Sequence, residues 1–437
     1  MGKPWVYPGH DERRSGPVTR SVIMTGFHFP PSALSSGHLR LLAFAKYLPE
    51  LGWDPVVLSA TPCAYQQVDP GSIQSIPEAC RVHRAVALDA RRHLGLFGKY
   101  PSILAQPDRW ASWWPAAVWL GLRLIKRYRA QAIWSTYPIM TSHCVAYTLS
   151  RLTGIPWIAD FRDPVAVTVA RKDAMTVRSQ SRWERRVVSR ATYSVFTTPS
   201  AMEWCGERFP EADREGRLAV IGNGYDEDAF AELPGPPPRP GRPLNLLHSG
   251  VLYPEGRNPV PFFTALARLR DAGSIDAGTI KVVLRASGSQ VAYTSEIRRL
   301  NLQGMVTLAP PISNREALAE QARTDALLLF QGEKYDRQIP AKVYEYLRIG
   351  RPILALVGEH GDTAALLREA GGAQLAPIDD VGAIEKHLLG FINALLAGGA
   401  PRARPERVVR YSRREGAALL AGLLDRATAQ RAESMQT

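Results

Sequence analysis

Ile339-Pro-Ala-Lys-Val-Tyr-Glu-Tyr-Leu-Arg-Ile-Gly-Arg-Pro-Ile-Leu-Ala-Leu-Val357 is the stretch on which the rest of the 437-residue chain is organised. The spacing predicts a helix from about Ala341 to Ile349, with Pro340 in its first turn, where the missing backbone donor costs nothing. Gly350 can take the left-handed conformation that closes a helix, and Arg351-Pro352 forbids continuation. Ile353 to Val357 is an unbroken apolar run, the pattern of a parallel strand covered on both faces. Val343, Tyr346 and Leu347 share the inward face, which leaves Glu345 aimed elsewhere. A helix that starts after a loop offers free N–H groups to phosphate, and a carboxylate one turn further in can accept two ribose hydroxyls. Pro340, Ala341, Lys342 and Glu345 are therefore candidates to hold a nucleotide. The alternative is an ordinary surface helix with a solvated Glu345.

The length favours two domains. With 45% hydrophobic and 22% charged residues the composition is that of a globular protein. The formal net charge of +13 favours an anionic partner: phosphorylated substrates, an acidic membrane surface or nucleic acid. Because the basic residues are spread along the chain, nucleic acid is the least favoured of these. Cys63, Cys80, Cys144 and Cys205 show no CxxC spacing, so neither a zinc site nor a disulfide framework is expected, and a reducing cytoplasm fits. Met1 to Arg20 lacks the apolar segment of a signal peptide, and no window reaches the ~20 apolar residues of a membrane span.

From the amino end, residues 1–20 read as a loose tail. Ser21–Thr25, a glycine-containing loop, a helix from about His38 to Leu51 and the strand Pro55–Ser59 form a βαβ unit, without GxGxxG spacing. Residues 61–105 carry no secure assignment. Trp110, Trp113, Trp114 and Trp119 precede Arg123, Lys126, Arg127 and Arg129, a composition shared by membrane-interface helices and by core helices with a basic outer face. The strand Pro156–Asp160 runs into Phe161-Arg162-Asp163. Asp160, Arg162 and Asp163 thus fall where open α/β sheets place active-site groups. A basic helix is expected from Arg178 to Arg190, and Gly222-Asn223-Gly224-Tyr225-Asp226 suits a tight turn. Leu233 to Pro243 is a proline-rich linker between a first domain, 21–232, and a second, 244–404. The second repeats the pattern: the strand Leu244–His248, a loop containing Gly250 and Arg257, then a helix. Residues 405–437 contain a last apolar-faced helix.

Several of these stretches resemble family 4 glycosyltransferases of the GT-B fold. The nucleotide-sugar motif of that family is similar to PAKVYEYLRIGRPILAL. Its opening FPP, GG, R and G pattern is similar to Phe29-Pro30-Pro31, Ser36-Gly37, Arg40 and Gly52, with a serine in place of one glycine. Its NG-x-D element matches Asn223 to Asp226. The resemblance implies an α/β protein of two doubly wound Rossmann-like domains facing across a cleft, the acceptor on the first and the donor on the second. The implied activity is retaining transfer of a sugar from a nucleoside-diphosphate donor to a glycan or lipid-linked acceptor, in surface polysaccharide or glycoconjugate synthesis. No metal or other cofactor is implied.

On that resemblance Arg257 and Lys342 meet the diphosphate with the amides near Pro340 to Lys342, and Glu345 takes the ribose. Gly37 and Gly250 let loops approach the donor. Asp160, Arg162 and Asp163 orient the acceptor, near where relatives carry a histidine. The closing helix would cross back onto the first domain. Apart from the resemblance, the tryptophan-rich segment Trp110 to Trp119, the basic run Arg123 to Arg129 and the positive net charge point to action at the inner membrane face on a lipid-linked acceptor. Many relatives have a second glutamate eight positions before the ribose glutamate; here that position is Arg337, with Glu333 and Asp336 on the same loop. A nucleotide-sugar 2-epimerase on the same fold, or a non-catalytic basic module binding membrane or nucleic acid, are the rival readings.

Overall fold

The computed structural model describes residues 20–33, 37–93, 102–165, 173–235 and 243–434. Residues 1–19 of the expected tail, Ser36 and most of the proline-rich linker (236–242) lie outside the described residues, and Arg20, read as the tail's last residue, opens the first strand.

Seven parallel strands make the first sheet: β1 (Arg20–Thr25), β2 (Trp53–Ala60), β3 (Arg81–Ala85), β4 (Ala132–Thr136), β5 (Trp157–Arg162), β6 (Tyr193–Phe196) and β7 (Leu218–Val220). Their order is β3-β2-β1-β4-β5-β6-β7. The second sheet contains β8 (Leu244–Ser249), β9 (Ile280–Arg285), β10 (Val306–Ala309), β11 (Ala326–Gln331), β12 (Ile353–Val357) and β13 (Ala373–Ala376). It repeats the pattern as β10-β9-β8-β11-β12-β13, again all parallel. In each sheet the winding reverses once, between β1 and β4 and between β8 and β11. A crevice opens at such a reversal, outside the carboxyl ends of the strands.

Alternation along the strands supplies two apolar faces per sheet. In β1, Ile23 points to the layer formed by the helices Trp113–Tyr128, Met140–Thr153 and Ala174–Arg190. Val22 and Met24 point to the opposite layer, where the helix Gly37–Tyr47 lies beside the last helix, Arg413–Ser434. Leu420, Leu423 and Leu424 of that last helix are buried in the first domain's core, and Asp425 accepts a bond from Trp53 Nε1 at 2.8 Å. The closing segment therefore crosses from the second domain to the first.

The organising stretch folds as a helix over Ala341–Ile349, a left-handed Gly350 (φ 72°) and β12 over Ile353–Val357. Pro340 sits one place earlier than expected, as the cap and not in the first turn. The tryptophan-rich segment divides. Trp113 is fully buried, Trp110 and Trp114 pack on the core, and Trp119 stays exposed. The unassigned region supplies β3, a short polar edge strand.

Candidate active site

The crevice of the second domain is built by the loops after β8 and β11 and by the start of the helix Ala341–Ile349. Within the described residues the amides of Ala341 and Lys342 make no hydrogen bond, as befits the first turn of a helix without a side-chain cap. Lys342 Nζ lies 3.2 Å from Nε2 of His248, a fully buried imidazole at the end of β8. His248 Nδ1 is 2.9 Å from the Leu328 carbonyl. The ring's Nε2 also lies 3.1 Å from the Gly250 carbonyl, so that nitrogen stands between a carbonyl oxygen and the lysine. Burial and the adjacent Lys342 hold His248 well below its usual pKa, which keeps the ring neutral. Burial, then the Arg257 charge, lowers Lys342 to about 7. Gly250 is required here: its φ is +110°, and a Cβ would stand 2.8 Å from Lys342 Nζ.

Arg257 donates to Gln331 Oε1 at 3.2 Å, and Tyr253 and Tyr335 lie 5.5 and 5.2 Å from its guanidinium. The Gln331 amide nitrogen faces Tyr335 O (3.1 Å), Gln338 O (2.6 Å) and Thr363 Oγ1 (3.0 Å), which turns its oxygen toward the arginine. The Arg257 Nε is buried without a partner among the described residues. Burial lowers Arg257 as well, and an anion bound beside the two cations would favour the charged form of both. Glu345, one turn along, has its carboxyl raised above the usual range by burial, an effect opposed by Arg413 and Lys342. It makes no hydrogen bond or ion pair among the described residues. Arg413 opens the last helix and donates to the Gly224 carbonyl at 3.0 Å. Gly224 has no room for a side chain, because a Cβ there would press on the 411–413 backbone.

The first domain's edge is arranged differently. Asp160 is fully buried, and Arg40 grips it with Nε–Oδ2 at 2.8 Å and Nη2–Oδ1 at 3.0 Å. Thr136 adds a bond at 3.1 Å, while Arg40 also reaches the carbonyls of Ile221 and Gly222, each at 2.8 Å. Asp160, expected with Arg162 and Asp163 to orient the acceptor, is thus sealed inside, where its carboxylate anchors Arg40. Arg162 and Asp163 remain at the edge. A register shift in β5 and a positive φ of 60° bring Arg162 to a small cleft lined by Phe27, His28, Thr136 and Tyr137. Its Nε has no partner among the described residues, and burial raises the neighbouring Asp163 carboxyl. Burial also lowers His28 to about 4, so this imidazole is neutral. Gly37 is the first residue of the helix that carries Arg40.

The two edges are tied together. Thr198 Oγ1 donates to the Arg337 carbonyl at 2.9 Å, Ser200 bonds to Asp362, and the Arg337 guanidinium lies 5.0 Å from the Trp204 ring. Asp336 is turned the other way, against Gly358 and Gly361, neither of which has space for a Cβ. Glu333 is exposed. Sequence reasoning did not single out His248, Gln331 or Arg413 as site residues. For His248 the signal was an ionisable ring in the apolar strand Leu244–Ser249. For Arg413 no local signal exists. No cluster of three or more His, Cys, Asp or Glu that could hold a metal occurs among the described residues.

Two doubly wound domains whose paired carboxyl edges face one crevice make up the GT-B fold. Residues 37–224 match the profile of the glycosyl transferase 4-like domain. The match takes in most of the first domain, and with the fold it makes the chain a glycosyltransferase. A comparison with curated protein sequences finds no match. Among solved structures, sucrose-phosphate synthase from Thermosynechococcus elongatus superposes with a TM-score of 0.57 at 14% identity, over 95% of this chain and 98% of that one. The lipopolysaccharide outer core galactosyltransferase WaaB gives 0.58 at 14%, covering 94% and 99%. Anabaena HepE in complex with UDP-glucose gives 0.54 at 14%, covering 95% and 99%. At such identities the likeness is one of fold.

Proposed function

We propose that the enzyme moves a glycosyl group, with retention, from a nucleoside-diphosphate sugar to a glycan or lipid-linked acceptor in the synthesis of a surface polysaccharide or glycoconjugate. The observation that carries the reading is the Arg257–Lys342 pair beside the free amides of Ala341 and Lys342. Two crowded cations and two unused donors at a sheet's winding reversal form a receptor for a diphosphate. Charge grows on that diphosphate as the glycosidic bond breaks, so the same groups stabilise the transition state more than the ground state. Glu345 receives the ribose hydroxyls and Gly250 admits the lysine. Across the crevice, Arg162 and Asp163 face the acceptor hydroxyl, and the Arg40–Asp160 pair holds their strand in place.

In the HepE structure named above the bound donor is UDP-glucose, which makes uridine nucleotides the first to try. The test is incubation of the protein with a panel of nucleotide sugars, alone and with membrane lipid extract. Sugar transfer that requires the extract supports the proposal. Epimerised donor without an acceptor would replace it with the isomerase reading, and no turnover with any donor would leave only a binding module.

A further inference from the structure

The helices Trp113–Tyr128, Met140–Thr153 and Ala174–Arg190 form one layer on one face of the first sheet. The middle helix is almost wholly buried. Over it close Trp114 and Trp183, with ring centroids 5.1 Å apart, and Trp183 also meets Tyr147 at 5.6 Å. The first helix turns Trp113, Ala117, Gly121 and Leu124 inward. Its outer stripe is Trp119, Arg123, Lys126 and Arg127, at spacings of four, seven and eight. The third helix repeats the design with Arg178, Arg182, Arg185 and Arg186 outside.

With their flanking residues (113–129, 140–154 and 173–190) the three helices expose four, one and five lysines or arginines, against one exposed acid, Asp173. The second acid of the layer, Glu184, is buried and bonded to Arg208. Among the described residues none of the ten exposed cations makes an ion pair. The patch has an edge: the next helix, Pro199–Arg208, carries the exposed acids Glu203 and Glu207.

We infer that this flank docks on an anionic lipid bilayer. A polyanion of any kind would satisfy the cations, and the apolar tips decide between partners. Trp119 is 56% exposed with the Arg123 guanidinium 3.5 Å from its ring centroid, Leu152 is 63% exposed and Met175 44%. Such side chains gain nothing against a phosphate backbone, whereas the headgroup boundary of a bilayer accepts tryptophan and aliphatic tips between cations. Met175 and Arg178 belong to the amino end of a helix that follows β5, so the flank reaches the rim of the crevice where Arg162 and Asp163 lie. A headgroup-linked acceptor would then enter from the surface on which the enzyme rests. The inference builds on the lipid-linked branch of the proposed function.

Co-sedimentation of the full-length protein with phosphatidylglycerol-containing and pure phosphatidylcholine vesicles, at low and high salt, tests it. Binding is expected with the anionic vesicles and is expected to fall steeply with salt. The double variant R182E/R185E should lose about tenfold or more of that binding, since each cation near such a surface adds to the attraction. Trp119→Ala should lose about threefold, the interfacial ring being one contact among many. Both variants should keep the circular dichroism and the UDP affinity of the parent. Equal binding to neutral vesicles, or undiminished binding by R182E/R185E, overturns the inference. So does tighter binding to duplex RNA than to anionic vesicles at the same salt. Vesicle binding by a protein that ignores every nucleotide sugar would uphold this surface while removing the transferase reading.

Discussion

At the edge of the first sheet, Arg40 meets Asp160 in two parallel bonds and Arg162 has Asp163 beside it. At the edge of the second, the Arg257 charge depresses Lys342, and Glu345 is the acid that offsets it. The ingredients are alike, arginines and carboxylates at strand ends, but the accounts differ. The first edge neutralises itself and so fixes a conformation. The second leaves positive charge that only a ligand can neutralise. Charge alone therefore does not mark the donor site; charge without a partner does.

The sharpest way to break that comparison is to remove one half of the buried pair. Asp160→Asn leaves the Arg40 guanidinium buried and uncompensated, which typically costs about 3–5 kcal/mol. Denaturant unfolding should show that loss, while the folded fraction binds UDP within about twofold of the parent. A large loss of UDP affinity with unchanged stability would mean that the first edge, too, is a ligand site.

Arg257→Ala should give the opposite result. Nucleotide affinity is expected to fall by about 1.5–3 kcal/mol, the worth of a hydrogen bond to a charged group, and kcat with it. Stability should hold or rise, because one of two mutually repelling cations is gone. A surviving kcat with only KM raised would reduce Arg257 to ground-state binding. Glu345→Gln keeps shape and removes charge, so a weakening near the lower limit, about 1.5 kcal/mol, is expected in calorimetry with a nucleoside diphosphate. Unchanged affinity would take the ribose away from Glu345.

Lys342 sharpens the comparison through pH. In the free protein its pKa is lowered to about 7, by burial and by Arg257. A bound diphosphate favours the charged form and raises that value. Binding above pH 7 must therefore take up a proton, and affinity should be highest below pH 7. It should fall as pH rises, by at most about 1.4 kcal/mol per unit, until the pKa of the complex is reached. Calorimetry in two buffers of different ionisation enthalpy measures the proton directly. Lys342→Arg should flatten the profile.

The donor side was the more legible in sequence because its groups are local. Ala341–Ile349, Gly350 and Ile353–Val357 fold as read, since propensity, helix stop and apolar run all agree there. The acceptor side depends on contacts that no window contains. Asp160 reads as an active-site acid until its partner, Arg40, arrives from 120 residues earlier. Arg413 reaches the Gly224 carbonyl from 189 residues away. β3 (RVHRA) and β13 (AQLA) went unread because they are edge strands of four or five residues, each with only its last residue buried, and so carry no alternating or continuous apolar pattern. The tryptophans show the same limit. Composition fitted both an interfacial helix and a core helix with a basic outer face; packing takes Trp113 into the core and leaves the outer face to Trp119 and to the later helix Ala174–Arg190.

The smallest expected effect lies between the two edges, at Arg337. By resemblance its position is that of a glutamate touching the transferred sugar; in the structure its carbonyl accepts from Thr198 and its guanidinium lies over Trp204, both of the first domain. These are different jobs with different signatures. A clasp between domains contributes equally whatever the donor carries beyond its diphosphate, so Arg337→Ala should weaken UDP and UDP-sugar binding by the same small amount. An exposed cation over an aromatic ring contributes about 0.5–1 kcal/mol, and Trp204→Ala should match Arg337→Ala while the double variant adds little. A side chain that touches the sugar would instead spare UDP and weaken only the nucleotide sugar, and Trp204→Ala would not copy it. Measuring both ligands against both variants decides whether Arg337 joins the edges or reads the sugar. The stacking on Trp204 favours the first outcome.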